Sequence, residues 1–114
     1  MKIWTSNKAD ETFSKHIRER DPFCFFNCSR PTRQASHFWG RGASSTRYDP
    51  LNVDGVCGHC HLIHEGNKQG LYRELKIKQL GKKGYQELER RARTIMKREQ
   101  AILNWMALYE DLTK

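Results

Sequence analysis

Two close pairs of cysteines, Cys24-Phe25-Phe26-Asn27-Cys28 and Cys57-Gly58-His59-Cys60, stand apart along the chain. Thiolates grouped in this way are the ligand pattern of a tetrahedral zinc site, and four of them close the coordination sphere, which marks a structural ion. In a reducing compartment disulfides are opposed, so Zn²⁺ is the expected occupant of Cys24, Cys28, Cys57 and Cys60. Two disulfides or free core thiols are the alternative. Four of the five histidines, His37, His59, His61 and His64, fall in the same region. On a helix, positions 61, 64 and 65 point the same way, so imidazole and carboxylate can converge on one ion. Nitrogen and carboxylate ligands with room for water suit a catalytic divalent cation. His59, inside its knuckle, is expected only to decorate the zinc loop, and His16 to be a packing or surface residue.

These groups need a scaffold, and the composition limits what it can be. The chain has 114 residues with 37% hydrophobic and 30% charged side chains, which fits one domain, spanning 1–114, with a thin core. A metal staple would supply what apolar packing lacks. Lys and Arg number 21 against 13 Asp and Glu, a formal net charge of +8. That balance makes an anionic polymer the leading partner, with solubility as the plain alternative. No apolar run approaches the roughly 20 residues of a membrane span and the start lacks a signal-peptide core, so a soluble, cytoplasmic protein is expected.

Periodicity then places the elements. Residues 7–20 read as a helix capped by Asn7 with Asp10 at the third helical position, and with Ala9, Phe13, His16, Ile17 and Arg20 on one face. Asp21-Pro22 stops it. Residues 23–66 form the zinc-bearing core: a strand at Ala35–Trp39, a flexible turn at Gly40–Ser45, a returning strand at Thr46–Tyr48, and a short helix from the second knuckle to about Glu65, with a left-handed stop at Gly66-Asn67. Residues 67–114 are a helical extension, with one helix over Lys68–Leu80, a break at Gly81–Gly84 and a longer helix from Tyr85 to about Leu112. The apolar stripe of that last helix (Leu88, Ala92, Ile95, Met96, Ile102, Leu103, Met106, Tyr109 and Leu112) faces a core or a partner helix, and a homodimer through it is one expectation. Arg90, Arg91, Arg93, Lys97 and Arg98 lie on the other face. Phe38, Trp39 and Tyr48 either fill the core beside the zinc or stack on bases.

His37, then Asn52, then His61 beside a paired-cysteine knuckle resembles the H-N-H nuclease motif, carried on a ββα-metal fold built around a treble clef. More locally, Phe13 to Asp21, Ser36-His37-Phe38-Trp39-Gly40-Arg41-Gly42-Ala43, Arg47-Tyr48, Asn52 and Cys60-His61 through Gly66-Asn67 resemble the phage NinG/Rap recombination nucleases, over about Lys8 to Leu80. The resemblance implies an α+β, zinc-stapled endonuclease that hydrolyses DNA phosphodiester bonds with Mg²⁺ or Mn²⁺, in phage recombination on branched DNA. It implies His37 as general base, Asn52 as the residue that pins the opposing loop and orients His37, and His61 as a ligand of the catalytic metal. Many such enzymes carry an acidic residue just before the base histidine; this chain has Ser36 there, so Glu65 or His64 is expected to complete the metal site. Arg41 and Arg47 are placed to clamp phosphate bidentately, with Arg33 and Lys68 as further DNA contacts. The rival expectations are a non-catalytic zinc module that binds nucleic acid, a structural phage protein, and an H-N-H enzyme of the homing or packaging type.

Overall fold

The computed structural model describes residues 2–114. Helix α1 (Ser6–Arg20) carries Ala9, Phe13 and Ile17 on one side, and all three are buried. Thr5, in extended conformation, caps it: its Oγ1 accepts the Lys8 N–H at 3.1 Å, satisfying a donor that a helix start otherwise leaves free. The cap is therefore Thr5 and not the expected Asn7, and Asp10 is left free for the partners described below. At the other end Asp21 accepts the Arg20 guanidinium on both carboxylate oxygens, at 2.8 and 2.7 Å, and the Gly55 N–H at 2.8 Å. Arg20 also donates to the carbonyls of Pro50 and Val53 at 2.8 and 2.6 Å.

That bond reaches the sheet. Strand β1 (Gln34–His37) pairs antiparallel with β2 (Val53–Val56), Ser36 opposite Asp54 and His37 opposite Val53. The returning strand is β2, so Thr46–Tyr48 is corrected: Ser44–Arg47 is a single helical turn, α2. Local hydrogen bonds override the strand preference of Thr46 and Tyr48. The Thr46 N–H bonds the Ala43 carbonyl at 3.1 Å, and Asp49 bends the following segment by accepting the Leu51 N–H on its side chain at 3.0 Å and the Asn52 N–H on its carbonyl at 2.9 Å.

Because side chains alternate across a strand, the ribbon has two faces, and both are covered. Ala35 and Val53 pack with Phe13 and Ile17 of α1 and with Ala101, Ile102 and Trp105 of α5 (Arg98–Leu112). On the opposite face, Val56 packs among Cys24, Cys57 and Cys60, and Asp54 meets α4 (Gly70–Arg93). Between β2 and α4 lies α3 (Gly58–His64), which starts inside the second cysteine pair as expected and is followed by Gly66 at φ 68.

Gly81, at φ 75 and ψ 167, is non-helical and divides α4 into two helical stretches, where the break at Gly81–Gly84 is expected. The last stretch differs from expectation. The single helix anticipated from Tyr85 to Leu112 is split: the Thr94 N–H and hydroxyl bond the carbonyls of Arg91 and Arg90 at 3.1 and 2.9 Å, and α5 restarts at Arg98. The apolar stripe divides accordingly. Leu88 joins Phe38, Tyr72 and Tyr85, and Ile102 turns back onto α1. Ile95, at the break, is 99% exposed, while Leu103 and Leu112 also face outward. The Trp105 indole N–H seals the α1–α5 contact by donating to Thr12 Oγ1 at 2.9 Å. Among the described residues, then, the chain is a small α+β fold of five helices and one two-stranded sheet, and no helix is long and apolar enough to cross a membrane.

Candidate metal centre and histidine–carboxylate site

The first cysteine pair sits on a tight loop in which Asn27 and Ser29 adopt positive φ (58 and 67) and the Asn27 N–H bonds the Cys24 carbonyl at 3.0 Å. The second pair opens α3, where Cys57 Sγ accepts the Cys60 N–H at 3.4 Å. All four are free thiols, and their Sγ atoms lie within 4.8 Å of one another. Cys28 Sγ stands 3.5 Å from Cys57 Sγ and 3.9 Å from Cys60 Sγ. Zinc–sulfur bonds of about 2.3 Å in a tetrahedron place their sulfurs about 3.8 Å apart, so the donor set is compatible with Zn²⁺. The thiols also divide in acidity. The Cys60 N–H helps bring the Cys57 thiol down to about 6, whereas burial pushes Cys24 and Cys60 up. A cation at the centre is what lets all four ionise together. Among the described residues, no other group of three or more thiol, imidazole or carboxylate atoms is gathered this closely.

A looser constellation lies where β1 ends against α3. His37, at the last position of β1, is buried, and its main chain is clamped to the end of α3. Its N–H donates to Glu65 Oε2 at 2.8 Å, and its carbonyl accepts the Gly66 N–H at 2.8 Å. The left-handed turn at Gly66 presents that N–H, so the glycine is used for more than stopping a helix. His37 Nε2 lies 3.0 Å from the Arg47 carbonyl. A carbonyl can only accept, so Nε2 carries the proton and Nδ1 is the lone-pair nitrogen of the neutral ring. That Nδ1 lies 3.5 Å from Glu65 Oε1, and His61 Nε2 lies 3.0 Å from Glu65 Oε2. Both ring nitrogens are shielded from solvent, and neither contact has hydrogen-bond geometry. Two nitrogens that face one carboxylate in this way call for a proton or a cation between them. Burial alone would push the Glu65 carboxyl up, but the His37 N–H that donates to it helps hold it below its ordinary value.

Asn52 is fully buried and bonds only main chain. Its Oδ1 accepts the Trp39 N–H at 2.8 Å, and its Nδ2 donates to the carbonyls of Trp39 and Thr46 at 2.9 and 3.0 Å. It staples the segment after His37 to the segment before β2. Phe38 and Tyr48 are core residues, and Trp39, half-buried, lies under the exposed Lys68, whose Nζ is 5.0 Å from the indole centroid.

The remaining expected site residues lie apart from this group. His64 stacks on Phe26 with ring centroids 4.0 Å apart, and burial holds its basicity down; it is not brought to Glu65. His59 is exposed. The Arg47 guanidinium is taken up by Asp10 of α1, Nε to Oδ1 at 3.1 Å and a terminal nitrogen to Oδ2 at 2.7 Å, with the Tyr48 hydroxyl donating to the same carboxylate at 2.8 Å. Arg47 meets His37 through its carbonyl. Arg33 and Arg41 are exposed. No family model, curated protein or solved structure matches the chain.

Proposed function

We propose that the chain is a zinc-stapled endonuclease of the H-N-H type that hydrolyses DNA phosphodiester bonds with Mg²⁺ or Mn²⁺, acting on branched DNA in the manner of the phage NinG/Rap nucleases its residues resemble. The observation that carries this reading is the Glu65 carboxylate, held by the His37 N–H at 2.8 Å and facing the unpartnered ring nitrogens of His37 and His61. In this reading β1, β2 and α3 are the ββα-metal unit, and the four cysteines are the zinc staple of a treble clef that fixes the start of α3.

His37 is the general base. Its Nε2–H is committed to the Arg47 carbonyl, so Nδ1 is aimed into the site and takes a proton from the water that attacks phosphorus. His61 and Glu65 would hold the catalytic cation, Glu65 standing in for the acidic residue absent at Ser36. When bound, such a cation supplies Lewis-acid stabilisation of the phosphate and of the leaving 3′ oxygen. Asn52 fixes the loop after His37, and Arg41, Arg33 and Lys68 are exposed cations available to the flanking phosphates. The net charge of +8 supports a salt-dependent grip of the same kind.

The direct test is Mn²⁺ titration of the zinc-loaded protein followed by electron paramagnetic resonance. One bound Mn²⁺ is expected in the wild type, with loss of that site in Glu65→Gln and in His61→Ala while zinc stays bound. Absence of a Mn²⁺ site, or an unchanged site in both variants, overturns the assignment.

A further inference from the structure

Behind the ribbon, away from His37, lies a polar network that the proposed reaction does not use. Asp54, Tyr72 and Lys76 are all 0% exposed. Lys76 Nζ donates to both Asp54 oxygens, at 3.1 and 2.9 Å, and to Gln79 Oε1 at 2.9 Å. The Tyr72 hydroxyl lies between two acceptors, Asp54 Oδ2 at 2.8 Å and the Ser36 carbonyl at 3.1 Å, which share its single proton. Taking two charges out of water costs about as much as their attraction returns, and an apolar pair of the same volume does as well for stability. What an ion pair provides that an apolar pair does not is a defined register, here between α4 and the ribbon.

The place where that register is applied matters. The Ser36 carbonyl and the His37 N–H belong to one peptide unit, and that unit is planar and rigid. Tyr72 holds its oxygen end and Glu65 Oε2 takes its N–H end, at 2.8 Å. The residue after Glu65 returns the grip, because the Gly66 N–H bonds the His37 carbonyl at 2.8 Å. A tilt of this one plane would move the donor that aims Glu65 between the two histidines.

We propose that Tyr72, braced by the Asp54–Lys76 ion pair, is a positioning residue for Glu65, acting through the Ser36–His37 peptide plane. The metal and rate consequences rest on the nuclease reading, whereas the positioning of His37 and Glu65 does not. Tyr72→Phe keeps the ring in its pocket and removes the hydroxyl. Loss of a direct outer partner of a metal ligand weakens metal binding by about 10-fold or more; Tyr72 acts one peptide unit removed, so the Mn²⁺ dissociation constant is expected to rise by up to about 10-fold, with kcat reduced and DNA affinity in chelator unchanged. Amide hydrogen exchange of the zinc-loaded protein reads the same event without metal or DNA. The His37 and Gly66 amides are expected to lose about 10-fold in protection relative to the Arg33 amide, which bonds the Val56 carbonyl in the same ribbon. Asp54→Asn keeps the volume, removes the charge and provides a second variant with the same expected pattern.

A uniform loss of protection at His37, Gly66 and Arg33, with Mn²⁺ affinity unchanged, means that the network only stabilises the fold, and overturns the proposal. If the wild type neither binds Mn²⁺ nor cuts DNA, the nuclease reading falls. The selective loss at His37 and Gly66 then still decides whether Tyr72 positions Glu65.

Discussion

Arg47 provides the sharpest separation between a residue that grips phosphate and one that holds the scaffold. Its guanidinium makes two charge-assisted bonds to Asp10, at 3.1 and 2.7 Å, with the two side chains 13% and 27% exposed. A hydrogen bond to a charged group is worth about 1.5–3 kcal/mol when desolvated. Because this pair is partly solvated, the low end applies to each bond, and Arg47→Met, which keeps the apolar stem, is expected to cost about 2–3 kcal/mol. At roughly 4 °C per kcal/mol for a domain of this size, that lowers Tm by about 10 °C. Asp10→Ala is expected to cost a similar amount, since it strands Arg47 and the Tyr48 hydroxyl together. The double variant should lose less than the sum, with a coupling of about 1–2 kcal/mol. Urea unfolding of the zinc-loaded protein measures all three. The same Arg47→Met protein should keep the wild-type slope of DNA affinity against salt, whereas Arg41→Ala should flatten that slope by about one charge. Additive stability losses, or an Arg47→Met protein of wild-type stability with a flattened slope, refute this reasoning and return Arg47 to the phosphate.

Three further outcomes follow from the geometry. A Cβ on Gly55 would lie 2.6 Å from Asp21 Cβ, 2.9 Å from the Asp21 carbonyl and 2.9 Å from Thr32 Cγ2, so Gly55→Ala should destabilise by about 2–3 kcal/mol in thermal unfolding, with wild-type stability contradicting the close approach of α1 to β2. Asp10 and Asp21 are pushed up by burial, yet both are held below their ordinary value of 3.8, Asp10 by Arg47 and Tyr48 and Asp21 by Arg20 and the Gly55 N–H. A carboxyl depressed in the folded state contributes stability that is present above its unfolded value and is lost as pH falls through its folded value. The urea midpoint of Asp21→Asn should therefore fall less than that of wild type below about pH 4, and parallel declines would contradict the assignment. Removal of zinc by a strong chelator should unfold the knuckles and α3, with loss of helical circular dichroism that zinc restores; an unchanged spectrum in verified metal-free protein contradicts a structural role.

The parts of this protein that show in its sequence are those set by local chemistry. Paired cysteines announce a candidate metal centre because ligand spacing is a property of a few adjacent residues, and Ala9, Phe13 and Ile17 announce α1 because helical period is local too. Glu65 is legible for the same reason, one turn from His61. Thr46–Tyr48 reads as a strand from its β-branched and aromatic residues, but main-chain bonds around Ala43 and Asp49 hold it in a turn that pattern does not register. Residues 85–112 read as one helix because the composition is continuous across Thr94. The break follows from the need of Ile102 and Trp105 to fold back onto α1, a partner far away in sequence. Distance in the chain likewise hides the ion pairs. Nothing in Leu75-Lys76-Ile77-Lys78 marks Lys76 as the buried lysine, and Arg47 counts as a free cation until Asp10 is found beside it.

The central claim is that His37 acts on a DNA phosphodiester while other residues hold the DNA. Its most direct test is cleavage of linear, nicked and four-way-junction DNA in Mg²⁺ or Mn²⁺, and in chelator, by wild type and His37→Ala, with DNA affinity measured at the same salt. The account predicts metal-dependent cutting of the junction by wild type, abolished in His37→Ala with affinity retained. Undiminished cutting by His37→Ala, or salt-dependent binding with no cutting by wild type in either metal, would contradict it.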